Sequence, residues 1–265
     1  AVISYADAAQ SPFTDLWILD FARGIKERLT LGKGSSFNPV WSNDGSRIFF
    51  ASDFDGVINV YQKPAGGGKE ERLLKSSGRS YPTSCSGDGR FLLCSVEDAK
   101  SRIDIWLLPL KGNSGPIPLV RTEFNESNAR FSPDMRWIAY VSDETGVNEV
   151  YVQAFSPDGR AAAPVSTGRR LVSKGSGSAP RWRGDGKELF YRDPNGAVVA
   201  VKIQGGKTFQ AETPEVLFQV PSVGTIFDSW EVSSDGSRFL LVTPAERASP
   251  SPFTIVLNWT SLLKK

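Results

Sequence analysis

Short apolar runs, in which hydrophobic and polar residues alternate, recur along the whole chain and are separated by turns rich in Gly, Asp and Asn. Alternation with a period of two predicts β-strands, because successive side chains of a strand point to opposite faces of the sheet. No stretch has a helical period of useful length, and none reaches the about 18 consecutive apolar residues of a membrane-spanning helix. The pattern therefore predicts an all-β protein.

One unit of this pattern repeats five times, with a polar turn centred on Asp between two apolar strands. A repeat of roughly 40–50 residues that carries several short strands is typical of a propeller blade. In four copies Gly follows the Asp, whereas Met135 follows it in the third. The five repeated residues are Asp44, Asp88, Asp134, Asp185 and Asp235.

Two further strands fit each cycle. The third strands are predicted at 16–20, 58–62, 104–108, 149–153, 198–202 and 254–258, and the fourth at 27–30, 71–74, 117–120, 164–167 and 215–218. We therefore predict a single six-bladed β-propeller domain over residues 1–265. Its first blade lacks a first strand and its last blade lacks a fourth, so we expect a segment before Ala1 to close the ring and the chain to be the C-terminal part of a longer protein.

The repeat also decides how its conspicuous residues are interpreted. A Ser-x-Asp-Gly turn needs an Asp that bonds to nearby amides and a Gly that accepts a positive φ, so Asp44 is predicted to be structural rather than a metal ligand. Three residues before the repeated Asp, we expect Trp41, Phe131 and Trp182 to be buried between blades. Cys85 and Cys94 occupy apolar positions of the repeat and are predicted to be buried free thiols.

Composition removes several classes of function. The 31 basic and 29 acidic residues nearly balance, and no basic run suggests nucleic-acid binding. The sequence contains no histidine, which excludes a Ser-His-Asp triad, a Cys-His dyad and a histidine zinc site. The two cysteines form no CxxC pair. We therefore predict that this chain has no catalytic activity and no cofactor.

The repeat, in the form of residues 41–53 (WSNDGSRIFFASD), resembles the TolB-type, WD40-like propeller repeat, which also occurs in the non-catalytic propellers of prolyl-oligopeptidase-like enzymes. Longer segments resemble the C-terminal propeller of certain bacterial serine/threonine kinases: 130–146 (RFSPDMRWIAYVSDETG), 180–191 (PRWRGDGKELFY) and 253–265 (FTIVLNWTSLLKK). This resemblance implies a ligand-sensing or protein-binding domain that follows a kinase domain and a membrane segment, located outside the cytoplasm, in the periplasm.

The loops that lead into the first strand of each blade are expected to meet at one mouth of the propeller channel, where ligands of propellers bind. These loops are rich in aromatic, amide and charged side chains. We predict a site for a protein, a peptide or a small polar ligand, in which Arg79 binds an anion and Tyr81 offers a stacking surface. The predicted residues are Asn38, Arg79, Tyr81, Glu126, Asn128 and Asp228.

Two alternatives remain open at this stage. One is a periplasmic scaffold that, like TolB, docks a protein partner. The other is a six-bladed hydrolase or lyase that uses carboxylates and a metal such as calcium. The weak metal candidates are the acids that follow the second strands, Asp53, Asp55 and Asp143.

Overall fold

The computed structural model describes residues 1–6, 13–31, 34–97, 102–112, 114–156, 168–204, 208–220 and 230–241, together with the backbone of 254–256. The chain forms two compact units, Ala1–Ala129 and Arg130–Lys265. All regular structure in the described residues is β, as the alternating pattern predicts. No helix among these residues has the length and hydropathy needed to cross a membrane.

Unit 1 contains a three-stranded sheet, two four-stranded sheets and the start of the next strand. Each sheet is a meander of antiparallel neighbours, because its strands are joined in sequence by short turns. The strands of the three sheets are, in order, β1 (Val2–Ala6), β2 (Thr14–Asp20) and β3 (Ile25–Arg28); β4 (Ser36–Trp41), β5 (Arg47–Ser52), β6 (Asn59–Pro64) and β7 (Glu71–Leu74); and β8 (Ser80–Cys85), β9 (Phe91–Glu97), β10 (Ile103–Pro109) and β11 (Ile117–Val120).

The second unit repeats this arrangement, and the boundary between the units falls within β12. The sheet that begins at this boundary consists of β12 (Glu126–Phe131), β13 (Trp137–Ser142), β14 (Glu149–Ala154) and β15 (Arg170–Leu171). The next comprises β16 (Ser178–Trp182), β17 (Glu188–Arg192), β18 (Ala197–Gln204), β19 (Gln210–Ala211) and β20 (Glu215–Gln219), and the last β21 (Trp230–Val232), β22 (Phe239–Leu241) and β23 (Thr254–Val256).

Most of the predicted strands are found within one or two residues of their expected bounds, and the all-β propeller prediction is confirmed. The count of six blades is not confirmed. Four sheets have the four or five strands of a full blade, whereas the sheets at the two ends of the chain have three each among the described residues. The fourth strand expected at 164–167 lies outside the described residues, and Arg170–Leu171 pairs with β14 instead.

The core lies between neighbouring sheets, because both faces of a propeller sheet must be covered. In unit 1, Leu16 and Leu29 of the first sheet pack with Ile48, Phe50 and Tyr61 of the second. The prediction that Trp41, Phe131 and Trp182 are all buried between blades needs correction. Phe131 is buried, but Trp41 and Trp182 are only partly buried, since each lies near the end of a strand where the sheets no longer cover it fully.

The repeated Asp forms the same turn in all five copies, which we call the Asp turn. In each, the amide two residues after the Asp donates to its Oδ1 atom over 3.0–3.1 Å. In the first copy the Ser42 hydroxyl also donates to Asp44, and these bonds lower the pKa of Asp44 to about 2. Gly45 has a φ of 67°, and Met135 adopts 59° at the equivalent position. The structural interpretation of Asp44 agrees with these bonds.

The two cysteines are free, as predicted. Cys94 is completely buried, and this burial raises the pKa of its thiol. Cys85 is only half-buried, because it is the last residue of β8, where the strand runs out into the Asp turn. Burial raises the pKa of Cys85 as well.

Candidate functional site

The candidate site lies at the end of the unit 1 sheets opposite to the Asp turns, where the loop after each fourth strand enters the next first strand. A glycine lets this loop pass close to the end of a second strand. A Cβ atom on Gly34 would lie 2.4 Å from Asp53 Oδ1, and one on Gly78 would lie 2.1 Å from the Glu97 carbonyl oxygen. The acids that follow second strands therefore lie beside the loops that carry the predicted site residues.

Arg79 and Tyr81 form one contact group with Glu97. The Glu97 amide donates to the Arg79 carbonyl over 2.7 Å, which fixes the start of β8 to the end of β9. The Arg79 guanidinium lies near the Tyr81 phenol, and its Nε atom is 3.5 Å from Glu97 Oε2. Burial raises the pKa of Tyr81 against the opposing effect of Arg79. Because the Arg79 side chain is 64% exposed, its charge remains accessible from solvent.

The start of β12 joins this group through Ser95. Tyr81 is paired with Ser95 across the sheet, and the backbone amide of Asn128 donates to the Ser95 hydroxyl over 3.3 Å. Glu126 lies two residues earlier on the same strand. Its carboxyl is buried and accepts a bond from the Thr122 hydroxyl over 2.5 Å, so it holds the preceding loop rather than facing solvent.

Asn38 occupies the same position of the repeat as Asn128. It lies in β4, the first strand of the sheet that precedes the one entered at Arg79. Strand β4, which carries it, lies against β8. Both asparagines have left-handed backbones, with φ of 48° and 54°, a conformation that Asn tolerates better than most residues. The pairing of β4 with β5 shifts register between Phe37 and Val40, so Asn38 lies in a β-bulge. Its Oδ1 atom is buried and has no hydrogen-bond partner.

Five of the six predicted residues therefore lie at the starts of three first strands in unit 1, and we call this set the polar edge: Asn38, Arg79, Tyr81, Glu126 and Asn128. Arg79 lies near Tyr81 and Glu97, and strand pairing places Tyr81 opposite Ser95, whose hydroxyl accepts a bond from the Asn128 backbone amide. Asp228, the sixth, lies outside the described residues. The prediction that the whole set forms one ligand site stays a prediction.

Two of the candidate metal ligands are held by protein groups. Asp53 accepts a bond from the Ser35 amide over 2.7 Å. Asp55 accepts from the Tyr61 hydroxyl over 2.9 Å and pairs with Arg72 at 2.6 Å. These bonds fix the loop between β5 and β6 in the way expected of turn acids.

Asp143, the third candidate, lies in the equivalent loop of unit 2, where its carbonyl oxygen accepts a bond from Gly146. In the part of the chain that the structure describes, no group of three or more Cys, Asp or Glu residues is arranged to hold a metal ion.

A buried polar residue at or near the start of four of the third strands was missed by the sequence analysis. Asp15 accepts bonds from Arg28 and Thr30, Asn59 accepts from the Ser76 amide, Asp104 pairs with Arg121, and Glu149 bonds to Ser173. Each bond ties a third strand to the loop that enters the next first strand, and so positions that loop. The signal was present as a repeated polar–aliphatic–aromatic triplet: 15–17 (DLW), 59–61 (NVY), 104–106 (DIW) and 149–151 (EVY).

Comparisons with known proteins agree with the propeller geometry. No protein-family model matches the chain. It is 24% identical over 198 residues to the uncharacterized protein Atu1656 of Agrobacterium fabrum, an alignment that covers 72% of this chain and 66% of the relative.

Two solved structures show the fold. The crystal structure of TolB from Acinetobacter baumannii superposes with a TM-score of 0.72 at 17% identity, covering 92% of this chain and 57% of TolB. An oligogalacturonate lyase in complex with manganese gives a TM-score of 0.59 at 15% identity, covering 94% of this chain and 69% of the lyase. The chain thus spans less than two thirds of the length of TolB. At these identities the likeness shows that the chain has a TolB-like all-β propeller fold.

Proposed function

We propose that this chain is a non-catalytic binding module whose ligand contacts the polar edge of unit 1. The observation that carries the proposal is the contact group of Arg79, Tyr81 and Glu97, linked through Ser95 to Asn128. It combines an accessible guanidinium, a half-buried ring and an amide side chain. This mixture suits recognition of a polar ligand, in which few placed polar groups set orientation.

The wider role we propose is that of a sensory or protein-binding domain of a bacterial serine/threonine kinase, exposed outside the cytoplasm, in the periplasm. The sequence resemblance described above supports this role. The structural likeness to TolB supports equally a periplasmic scaffold that docks a protein. Both roles are non-catalytic, and for both we propose the polar edge as the surface that contacts the partner.

A propeller lyase or hydrolase is the competing proposal, and the likeness to a manganese-bound lyase favours it. Against it, Asp53 and Asp55 are engaged by the Ser35 amide, Tyr61 and Arg72. Turnover of an oligogalacturonide or a sugar lactone by the purified chain, in the presence of manganese or calcium, would establish this alternative and overturn the non-catalytic proposal.

The binding proposal is tested by thermal shift. A ligand that binds only the folded state raises the melting temperature in proportion to the logarithm of its concentration over Kd. We expect polar ligands or peptides from a mixed panel to raise the melting temperature of the wild type and of Arg90→Gln, but not of Arg79→Gln. Arg90 is a matched control, because it is also an exposed, ion-paired arginine of the β8–β9 hairpin, located at the Asp turn. A ligand whose shift is the same in all three proteins would place the binding site elsewhere.

A further inference from the structure

The polar edge presents a specific set of hydrogen-bonding groups, and this set restricts the ligand. Arg79 is the accessible cation, and it is only loosely paired, with 3.5 Å between its Nε atom and Glu97. By contrast, Arg90 at the other end of the hairpin lies 2.6 Å from Asp88. An exposed ion pair of this length contributes little free energy. A ligand oxyanion can therefore replace Glu97 as the partner of Arg79 at small cost.

Asn38 supplies the complementary requirement. A buried acceptor without a partner is costly, and native proteins normally satisfy such groups. The Oδ1 atom of Asn38 is in this state. The bulge at Asn38–Pro39 holds the side chain on a strand that lies against the one bearing Tyr81. A ligand that donates an N–H or O–H group to Asn38 while its oxyanion meets Arg79 would satisfy both groups.

Besides an oxyanion for Arg79 and a donor for Asn38, Tyr81 sets a third condition on the ligand. Its ring is half-buried, and its hydroxyl lies near the Arg79 guanidinium. Part of the ring therefore remains available to an apolar or planar ligand group beside the oxyanion. The Asn128 side chain, which is also half-buried, adds an amide that can both donate and accept.

From these three conditions we infer that the polar edge binds the C-terminal residue of an extended peptide. The terminal carboxylate contacts Arg79, the terminal peptide N–H donates to Asn38, and the last side chain packs on Tyr81. A sugar acid also offers a carboxylate and hydroxyl donors, but it has no apolar side chain next to the carboxylate. The inference rests on the proposed function, which it extends by naming the ligand class, and it uses capture of a chain terminus as the mode of recognition.

The test uses pools of short N-acetylated peptides, randomised at their last positions and made both as free acids and as C-terminal amides. The best binder of the free-acid pool is titrated calorimetrically against the wild type, Arg79→Gln, Asn38→Gly and Arg90→Gln. Glycine at position 38 removes the acceptor but keeps the left-handed backbone. Amidation should weaken binding to the wild type about tenfold, or ~1.4 kcal/mol. Arg90→Gln should bind as the wild type does, and Asn38→Gly should bind more weakly.

The decisive result is a double-mutant cycle, in which the peptide terminus (free acid or amide) and residue 79 (Arg or Gln) are changed separately and together. In Arg79→Gln the free acid and the amide should bind equally, because the group that distinguishes them is gone. An amidation effect of the same size in Arg79→Gln would overturn the inference, as would failure of both pools to bind the wild type.

The outcomes also separate the inference from the proposed function. If a sugar acid binds in an Arg79-dependent way and no peptide does, the binding module stands and the peptide inference falls. If peptides bind and neither Arg79→Gln nor Asn38→Gly changes their affinity, both are wrong.

Discussion

The two ends of the unit 1 sheets differ in how far they obey the repeat. At the Asp turns, Asp44 and Asp88 accept the same amide bond at the same distance, and their serine partners bond in the same way. At the other end the copies differ more: Asn38 and Asn128 coincide, but the position of Arg79 holds Ser35 in the preceding copy and Asn125 in the next. A residue type that every copy needs is explained by folding, whereas one that a single copy has is free to serve binding. The comparison supports the view that the Asp turns serve the fold alone, whereas the opposite end, besides its structural bonds, carries the residues that we propose bind a ligand.

The largest effect that we expect from a substitution on the Asp-turn side is at Trp182. This side chain packs against Phe209 and donates from Nε1 to the Arg130 carbonyl over 3.3 Å. Trp182→Ala should lower the free energy of unfolding by about 3 kcal/mol, at the low end for buried aromatics because it is only partly buried. Urea unfolding measures this loss, and Trp182→Phe should recover most of it. An unchanged midpoint for Trp182→Ala would contradict the packing.

A smaller loss is expected for Asp88→Ala. Its carboxylate accepts from Ser86 and from the Arg90 amide at the surface, and such bonds contribute about 1 kcal/mol in net terms. Chemical unfolding should show this loss, while affinity for any polar-edge ligand should remain at the wild-type value. A loss of affinity without a loss of stability would show that the Asp turn belongs to the binding surface.

Acid should weaken the Asp turns. The bond from Ser42 and the bonds from Ser46 lower the pKa of Asp44 from 3.8 to about 2. The folded-state pKa lies below the unfolded one, so the stability contributed by Asp44 is present above pH 3.8 and is lost as the pH falls towards 2. Asp44→Asn should flatten this part of the pH–stability profile. A profile identical to that of the wild type would mean that the serine bonds do not favour the ionised carboxylate.

The smallest effect is a gain. Met135 has a φ of 59° where the other four turns have glycine. Met135→Gly relieves a left-handed backbone that costs roughly 1–2 kcal/mol, and adds an entropic cost of about 0.5–1 kcal/mol in the unfolded state. The net result should be roughly 0.5 kcal/mol of added stability, measured by urea unfolding against Met135→Ala, which should not gain. Destabilisation by Met135→Gly would show that the methionine side chain packs usefully.

The contrast between the two ends also explains how much the sequence could predict. Strands, Asp turns and the burial of Cys94 follow from a repeated pattern, since five copies supply the evidence that a single copy lacks. The bulge at Asn38, the buried Glu126 carboxyl and the Asp15–Thr30 bond depend on which loops approach each other in space. The linkage of Asn128 to Tyr81 through Ser95 depends on the packing of one sheet beside the next, and it could be recognised only in the structure.

The central claim, that binding and folding occupy opposite ends of these sheets, is tested most directly by a paired measurement on one hairpin. Affinity for a polar-edge ligand and the free energy of unfolding are measured for Arg79→Gln and Asp88→Ala. The account predicts that Arg79→Gln loses at least about tenfold in affinity and less than roughly 0.5 kcal/mol in stability. It predicts the reverse for Asp88→Ala, which should lose stability and keep its affinity. Equal losses of affinity in the two variants, or a loss in Asp88→Ala alone, would contradict it.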